Sequence, residues 1–314
     1  MPLPRLPAPL VDTLALIGVG LIGSSIARAV AKSGAAARIV IHDRDPAALA
    51  RAEALSLGQA YARSVAEAVA DADLVILCAP VGANAALAEA MAPALKPGAI
   101  VSDVGSVKSS VVADVGPRLP KHAHFVPAHP VAGTEQSGPD AGFATLFVNR
   151  WCILTPPPGA DAGAVDKVRA FWTALGANVE TMTPEHHDLV LAITSHVPHL
   201  IAYNIVGTAA DLEEVTRSEV IKFSAGGFRD FTRIAASDPT MWRDVFLFNR
   251  DAVLEMLGRF NEDLTALQRM IRRGDGQGLF DLFTRTRAIR RGIVDMGQET
   301  AAPDFGRRAT EDGG

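Results

Sequence analysis

The sequence predicts an α/β protein: a doubly wound parallel sheet followed by an all-helical C-terminal domain. Three observations carry this reading. Short apolar runs alternate with helical stretches through the first half. A glycine-rich turn, Gly18-Val19-Gly20-Leu21-Ile22-Gly23, joins the first apolar run to the first helix. After Pro184 the strand signals give way to helical periodicity.

Strands are expected at 13–18, 38–42, 73–78, 99–102 and 123–127, with helices near 21–33, 46–56, 64–71, 83–94 and 107–116 between them. Two more apolar runs, 151–155 and 178–182, flank a helix near 161–175 and are expected to extend the same sheet. Between Met241 and Met270, the residues Val245, Phe248, Val253, Leu257, Phe260, Leu264 and Leu267 fall at helical spacing. The expected organisation is a flexible arm at 1–12, a dinucleotide-binding domain at 13–183, a helical substrate and dimerisation domain at 184–300, and a flexible polar tail at 301–314. A substrate belongs between the two domains, above the strand ends. Many apolar helices in a small domain point to a homodimer. A monomer whose helices cover one another is the alternative.

A chain of 314 residues is long enough for two domains. Its 30 Lys and Arg against 35 Asp and Glu give a net charge of −5, which attracts neither nucleic acid nor an anionic membrane surface. Cys78 and Cys152 lie in apolar runs with neither metal-ligand spacing nor a disulfide framework, as expected in a reducing cytoplasm. The apolar stretch from Leu14 to Ala27 holds three glycines and two serines and stops at Arg28, short of the ~20 residues a membrane span needs. Met1 to Pro7 carries too many prolines for a signal-peptide core. No membrane partner is expected.

The glycine turn becomes specific through its context. Asp43 stands twenty residues past Gly23, at the end of the apolar run Ile39-Val40-Ile41. Gly18 permits the tight turn, Gly20 lets a pyrophosphate approach the backbone, and Gly23 lets the helix pack on the sheet. The N–H groups at the helix start, at Leu21 and Ile22, face the phosphate charge. Asp43 can accept both hydroxyls of an adenosine ribose and would repel a 2′-phosphate, which favours NAD. Arg44 can hold that phosphate, so NADP stays open. The set reads as a Rossmann-type dinucleotide site, with the Ala79-Pro80-Val81 loop beside the cofactor.

Further motifs bear on chemistry. Ser102-Asp103-Val104-Gly105-Ser106-Val107-Lys108 leaves a strand and opens a helix, so Ser106 either caps that helix or turns its hydroxyl into the crevice. His129 lies just past a strand end and can exchange a proton near neutral pH, as oxidation of an alcohol requires. His122 and His124 read as solvent-facing, and His186 and His187 as ordinary helix-start residues. Ser195-His196-Val197-Pro198-His199 sets two histidines three apart with no carboxylate or cysteine set nearby, so no metal site is expected. Arg229 and Arg233, beside the pair Gly226-Gly227, suit either a carboxylate gripped bidentately or a solvated face.

Together these segments resemble the prephenate dehydrogenase family, including its cyclohexadienyl and arogenate members, from about residue 13 to 298. The resemblance rests on the glycine turn with Asp43, D-V-G-S-V-K, H-P-V-A-G-T-E-x-S-G, S-H-x-P-H, G-F-x-D-F-T-R and D-P-x-M-W-R-D. It implies NAD-dependent oxidative decarboxylation of prephenate or arogenate on the route to tyrosine, without a metal. It also implies roles. His129 accepts a hydrogen bond from the C4 hydroxyl and assists its deprotonation, and Ser106 orients that hydroxyl and the nicotinamide. Arg233 grips a side-chain carboxylate, while His199 with Ser195 places the ring carboxylate. Glu135 and Asp230 resemble the family's gating acids, and Trp242 belongs to the same polar network. Lys108 matches its motif without an assigned role. A dianionic substrate on an acidic protein needs local cations, which Arg233, His199 and Arg229 can supply. No chorismate mutase or regulatory segment is recognised, so a monofunctional enzyme is expected, with any feedback by tyrosine acting at the active site. Two other readings compete. One is a β-hydroxyacid dehydrogenase or imine reductase, which would need a catalytic lysine where only Lys222 is on offer. The other is a non-catalytic NAD-binding sensor.

Overall fold

The computed structural model describes residues 3, 5–216, 222 and 225–295. Strand β1 (Val11–Ile17) is almost wholly buried and lies between β2 (Ala36–His42) and β4 (Leu74–Leu77), parallel to both. With β3 (Ala60–Tyr61), β5 (Ile100–Asp103) and β6 (His124–Phe125) it forms a six-stranded parallel sheet in the order β3-β2-β1-β4-β5-β6. The order reverses between β1 and β4, and that reversal opens a crevice at the carboxyl ends of the strands. Helices α1 (Leu21–Ser33), α2 (Pro46–Ala54), α3 (Val65–Val69), α4 (Asn84–Met91) and α5 (Ser109–Val115) make the crossovers. The two-residue β3 is too short to leave an alternating pattern and was not expected from the sequence.

The glycine turn is sterically required. Gly18 has φ +103°, and a side chain there would meet the Cys78 carbonyl oxygen at 2.6 Å. A Cβ on Gly23 would collide with the Gly18 carbonyl oxygen, so α1 could not close on the turn.

The runs near 151 and 178 do not extend the parallel sheet. Strands β7 (Ala128–Pro130), β8 (Trp151–Leu154) and β9 (Asn178–Thr181) form a separate three-stranded sheet, with β7 antiparallel and β9 parallel to β8. The break comes at Ala128. The His124 and Val126 amides donate to the Ala99 and Val101 carbonyls, but the next amide on that side, Ala128, donates to the Asp103 side chain instead, and the Pro127 carbonyl accepts from Thr155 beside β8. Helix α6 (Ala162–Ala174) joins β8 to β9 and buries Phe171 and Trp172, with Trp172 edge-on to Phe147 at 5.2 Å. These residues share one apolar core with β1, β2 and α1.

The expected arm at 1–12 is also revised where it is described. Leu3, Leu6 and Leu10 pack against that core, and β1 already begins at Val11. Leu6 and Leu10 donate backbone bonds to Ser33 and Ala35 at 2.8 and 2.9 Å. The tail at 301–314 lies outside the described residues.

From Pro184 the described chain is helical. Helix α7 (Pro184–Leu191) starts at Thr183, whose side chain accepts from the His186 amide, and a π-helical turn (Ala192–His196) carries it into α8 (Val197–Thr216). Pro198 has no N–H to donate back along the helix, and the widened turn lies just before it. Then come α9 (Gly226–Thr232), α10 (Pro239–Phe248), α11 (Arg250–Arg273) and α12 (Gly276–Asp295). The run Pro184–Asp211 is long and apolar enough to cross a membrane by length and composition alone, and 28% of its most apolar window is buried inside the protein. No such run was expected from the sequence. His187, Asp188 and His196 on this run are buried in polar contacts with the protein.

Candidate active site

The crevice side begins with the glycine turn. Gly20 is the N-cap of α1 and supplies no side-chain cap, so the N–H groups of Leu21 and Ile22 start the helix without a side-chain acceptor from that cap. A Cβ on Gly20 would meet nothing within 4 Å, so the space in front of this residue is open. Asp43 turns back onto the same loop: Oδ2 accepts from the Val19 amide at 2.8 Å and Oδ1 from the Asp45 amide at 2.9 Å. An open backbone face, a bare helix start and a fixed carboxylate fit a dinucleotide with free ribose hydroxyls. Arg44 is exposed. Ala79 and Pro80 follow β4, and the next turn packs Gly82 against Asp244 and Phe248 of α10. This contact joins the cofactor loop to the helical half.

Next to this loop lies a buried ion pair between Lys108 Nζ and Asp103 Oδ2, both side chains almost fully enclosed. Lys108 Nζ also donates to the Ala128 carbonyl at 2.8 Å. Asp103 accepts from the Ala128 amide at 3.2 Å and from the Gly105 amide at 2.8 Å. Both backbone groups of Ala128 are thus held, one residue before His129. The His129 ring is buried as well, with Nδ1 2.8 Å from His187 Nε2. His187 Nδ1 lies 2.9 Å from Asp188 Oδ1.

Asp188 also accounts for the start of α5. Its two carboxylate oxygens accept from the amides of Lys108 and Ser109 at 2.7 and 2.8 Å. Ser106 does not cap this helix: the helix starts at Ser109, and the capping acceptor arrives from α7. The reading of His187 as an ordinary helix-start residue is likewise overturned. His122 is exposed as expected, whereas His124 is half-buried in β6.

The helical half adds a second cluster. His199 stacks on Trp242 with ring centroids 3.6 Å apart, and its Nδ1 lies 2.9 Å from the Ser195 carbonyl. His196 meets the edge of Trp242, and Asn249 Nδ2 approaches His196 Nδ1 at 3.0 Å and the Asp188 carbonyl at 2.9 Å. Arg233 Nη1 donates to Glu135 Oε2 at 2.9 Å across 98 residues, bringing the loop after β7 to the end of α9. Asp230 instead pairs with its neighbour Arg229 at 3.3 Å, both exposed. The structure therefore gathers His129, His187 and Lys108 into one group, His199, Ser195 and Trp242 into another, and Arg233 with Glu135 into a third. Arg233 is close enough for its charge to act on His199.

Burial dominates the electrostatics. It holds His129 well below the ordinary imidazole value, helped by the neighbouring His187, Lys108 and His196. It lowers His187 against the pull of Asp188, and takes His196 down to about 4. Burial and then Arg233 lower His199. These imidazoles stay neutral in the fold while the unfolded chain takes up protons below about pH 6.5. Stability is therefore full above that pH and falls as acid is added toward pH 4, by up to about 1.4 kcal/mol per pH unit for each group. The lowered carboxyls of Asp188 and Asp73 act only near and below their own ordinary range, at about pH 4. Urea unfolding at pH 5 should give a stability at least about 2 kcal/mol below that at pH 7. Equal stabilities would contradict neutral buried histidines.

Known proteins resemble this chain in sequence and fold. The family model described as prephenate dehydrogenase, nucleotide-binding domain, matches residues 26–181, and prephenate dehydrogenase, dimerization domain, matches residues 183–285. A cyclohexadienyl dehydrogenase of Zymomonas mobilis is 44% identical, over 88% of this chain and 94% of that protein. A prephenate dehydrogenase of Bacillus subtilis is 36% identical, over 94% of this chain and 79% of that protein. The crystal structure of prephenate dehydrogenase from A. aeolicus in complex with hydroxyphenyl propionate and NAD+ superposes with a TM-score of 0.84 at 33% identity, covering 90% of this chain and 98% of the other. On the fold, the site and these matches, the chain belongs to the prephenate dehydrogenase family.

Proposed function

We propose that the chain oxidatively decarboxylates prephenate, and arogenate as a second substrate, using NAD, to give 4-hydroxyphenylpyruvate or tyrosine. The observation that carries this reading is His129, held through the backbone of its neighbour Ala128 by Lys108 and Asp103 and through its own ring by His187. A neutral imidazole so held can accept the C4 hydroxyl proton. NAD supplies the two-electron oxidant when bound. His129 takes the proton as the C4–H bond breaks and returns it to the same oxygen once the ring carboxylate has left as CO2. No net proton is released. Ser106 orients the hydroxyl at the mouth of α5. Arg233, released from Glu135, grips the side-chain carboxylate, and His199, held flat by Trp242 and anchored at Ser195, places the ring carboxylate. Asp230 serves with Glu135 as a gating acid, and Arg229 beside it adds positive charge.

The cofactor residues in this reading are Gly18, Gly20, Leu21, Ile22, Gly23, Asp43, Ala79 and Pro80. Asp43, already aimed at the turn, favours NAD, and exposed Arg44 is where a 2′-phosphate would be met. Residues 13–183 and 184–300 act as the cofactor and substrate domains. The chain pairs as a homodimer through the second, where Leu254, Ile271, Phe280 and Phe283 leave an apolar face exposed on α11 and α12. Both cysteines are free thiols, consistent with a cytoplasmic enzyme. The lysine needed by the hydroxyacid dehydrogenase reading, Lys222, is exposed.

Purified protein with NAD should form reduced cofactor on prephenate, and His129→Asn should bind cofactor normally but lose about 10²- to 10⁴-fold in kcat. Near wild-type turnover in that variant would remove His129 from the mechanism. Arg233→Ala should act mainly on KM, because a carboxylate grip persists from ground to transition state. A large fall in kcat at unchanged KM would contradict that role.

A further inference from the structure

The side chains behind His129 contribute nothing to either ligand pocket in the reading above, yet they form a directed chain. Asp188 accepts three hydrogen bonds, from the Lys108 and Ser109 amides and from His187. Two of those donors are backbone N–H groups that cannot reverse. The carboxylate is therefore an acceptor, and the proton between it and the ring sits on His187 Nδ1. The reverse tautomer would set an imidazole lone pair against a carboxylate oxygen at 2.9 Å. A neutral His187 with Nδ1–H carries its lone pair on Nε2. That lone pair faces His129 Nδ1 at 2.8 Å and can only accept. His129 must then carry its proton on Nδ1, which leaves Nε2 as a bare lone pair.

We propose that His187 and Asp188 are positioning residues that select the Nε2-acceptor tautomer of His129 and stabilise the imidazolium formed while it holds the hydroxyl proton. This rests on the role of His129 proposed above. Within the cycle, the O–H bond breaks as Nε2–H forms, and Nε2–H breaks as the same oxygen regains its proton. The Nδ1–H of each ring and the charge on Asp188 stay in place throughout. The surroundings explain why such support is needed. Burial opposes positive charge on His129, and so do a charged His187, Lys108 and His196; a His187 kept neutral by donating Nδ1–H to Asp188 removes its own opposition, and the Asp188 carboxylate behind it supplies balancing charge. The second-neighbour carboxylate Asp103 is already committed to Lys108. The two imidazoles meet edge to face, with planes at 66° and centroids 5.0 Å apart, so their contact is the Nδ1 to Nε2 hydrogen bond and not a stack.

Two readouts on the full-length protein test this. Long-range ¹H–¹⁵N imidazole spectra of the ligand-free protein, with rings identified by signal loss in His129→Asn and His187→Gln, should show both histidines protonated on Nδ1. In His187→Met, His129 should shift toward the Nε2–H form. Protonation of wild-type His129 on Nε2, or an unchanged Nδ1–H form in His187→Met, would overturn the proposal. In steady-state turnover, His187→Gln keeps a carbonyl oxygen able to accept from His129 Nδ1–H. It should stay within about ten-fold of wild-type kcat, while His187→Met falls about 10²-fold or more at unchanged KM for NAD. Equal kcat in the two variants would also overturn it. If the wild-type protein fails to oxidise prephenate, the functional reading fails, and the tautomer spectra still decide the positioning role.

Discussion

The buried ion pair between Lys108 and Asp103 is the constraint on which the rest of the site depends. It holds both the amide and the carbonyl of Ala128. That grip fixes where the chain leaves the parallel sheet, where the second sheet begins, and where His129 stands. A pair so deeply buried adds little net stability, because the desolvation of both ions offsets much of their attraction. Removing one partner would instead leave an uncompensated buried charge, at about 3–5 kcal/mol. The pair is better understood as a device for placement. After Val126 the pairing of β6 with β5 ends, and the two ionic side chains take over the amide and carbonyl of Ala128.

The same segment ties the two halves of the chain together. The backbone of Lys108 and Ser109 binds Asp188, so the first helical element after the sheets is docked onto the start of α5. From there Asn249 reaches the Asp188 carbonyl and His196, and Trp242 lies between His196 and His199. A continuous polar seam thus runs from β5 to the residues expected to hold the substrate, and apolar packing of Val107 with Trp242 and Val245 surrounds it. The seam places the proposed base, His129, in neutral form beside the crevice, for which Arg233 and the helical half would supply cations. Keeping that base neutral is a consequence of burial, and the same burial makes the fold sensitive to acid.

Much of this was legible in the sequence. The glycine turn, Asp43 and the strand–helix alternation announced the parallel sheet because each depends on local spacing. The helical half announced itself through periodicity. Other features depend on partners far along the chain and leave no local pattern. Ser106 looks like a cap, but Asp188, 79 residues beyond Ser109, takes that place. His187 sits in a routine helix start after Thr183 and Pro184. Its spacing of four from buried Leu191 was the one available sign that it faces inward. The apolar runs of β8 and β9 read as strands, but which sheet they join turns on the capture of the Ala128 amide by the Asp103 side chain, a contact across 25 residues that leaves no local pattern. The residues proposed to hold the substrate, Arg233 with Glu135 above all, were legible only through resemblance, since nothing local links positions 98 residues apart.

The central claim is that Lys108 acts on the reaction through the placement of His129. A double-mutant cycle on kcat tests it most directly, with Lys108→Met, His129→Asn and their combination, each checked for folding by cofactor titration. If Lys108 works through His129, the double variant should turn over within about three-fold of His129→Asn alone, because a misplaced base costs nothing once the base is gone. Losses that multiply in the double variant would show that the two residues act independently and would contradict the account.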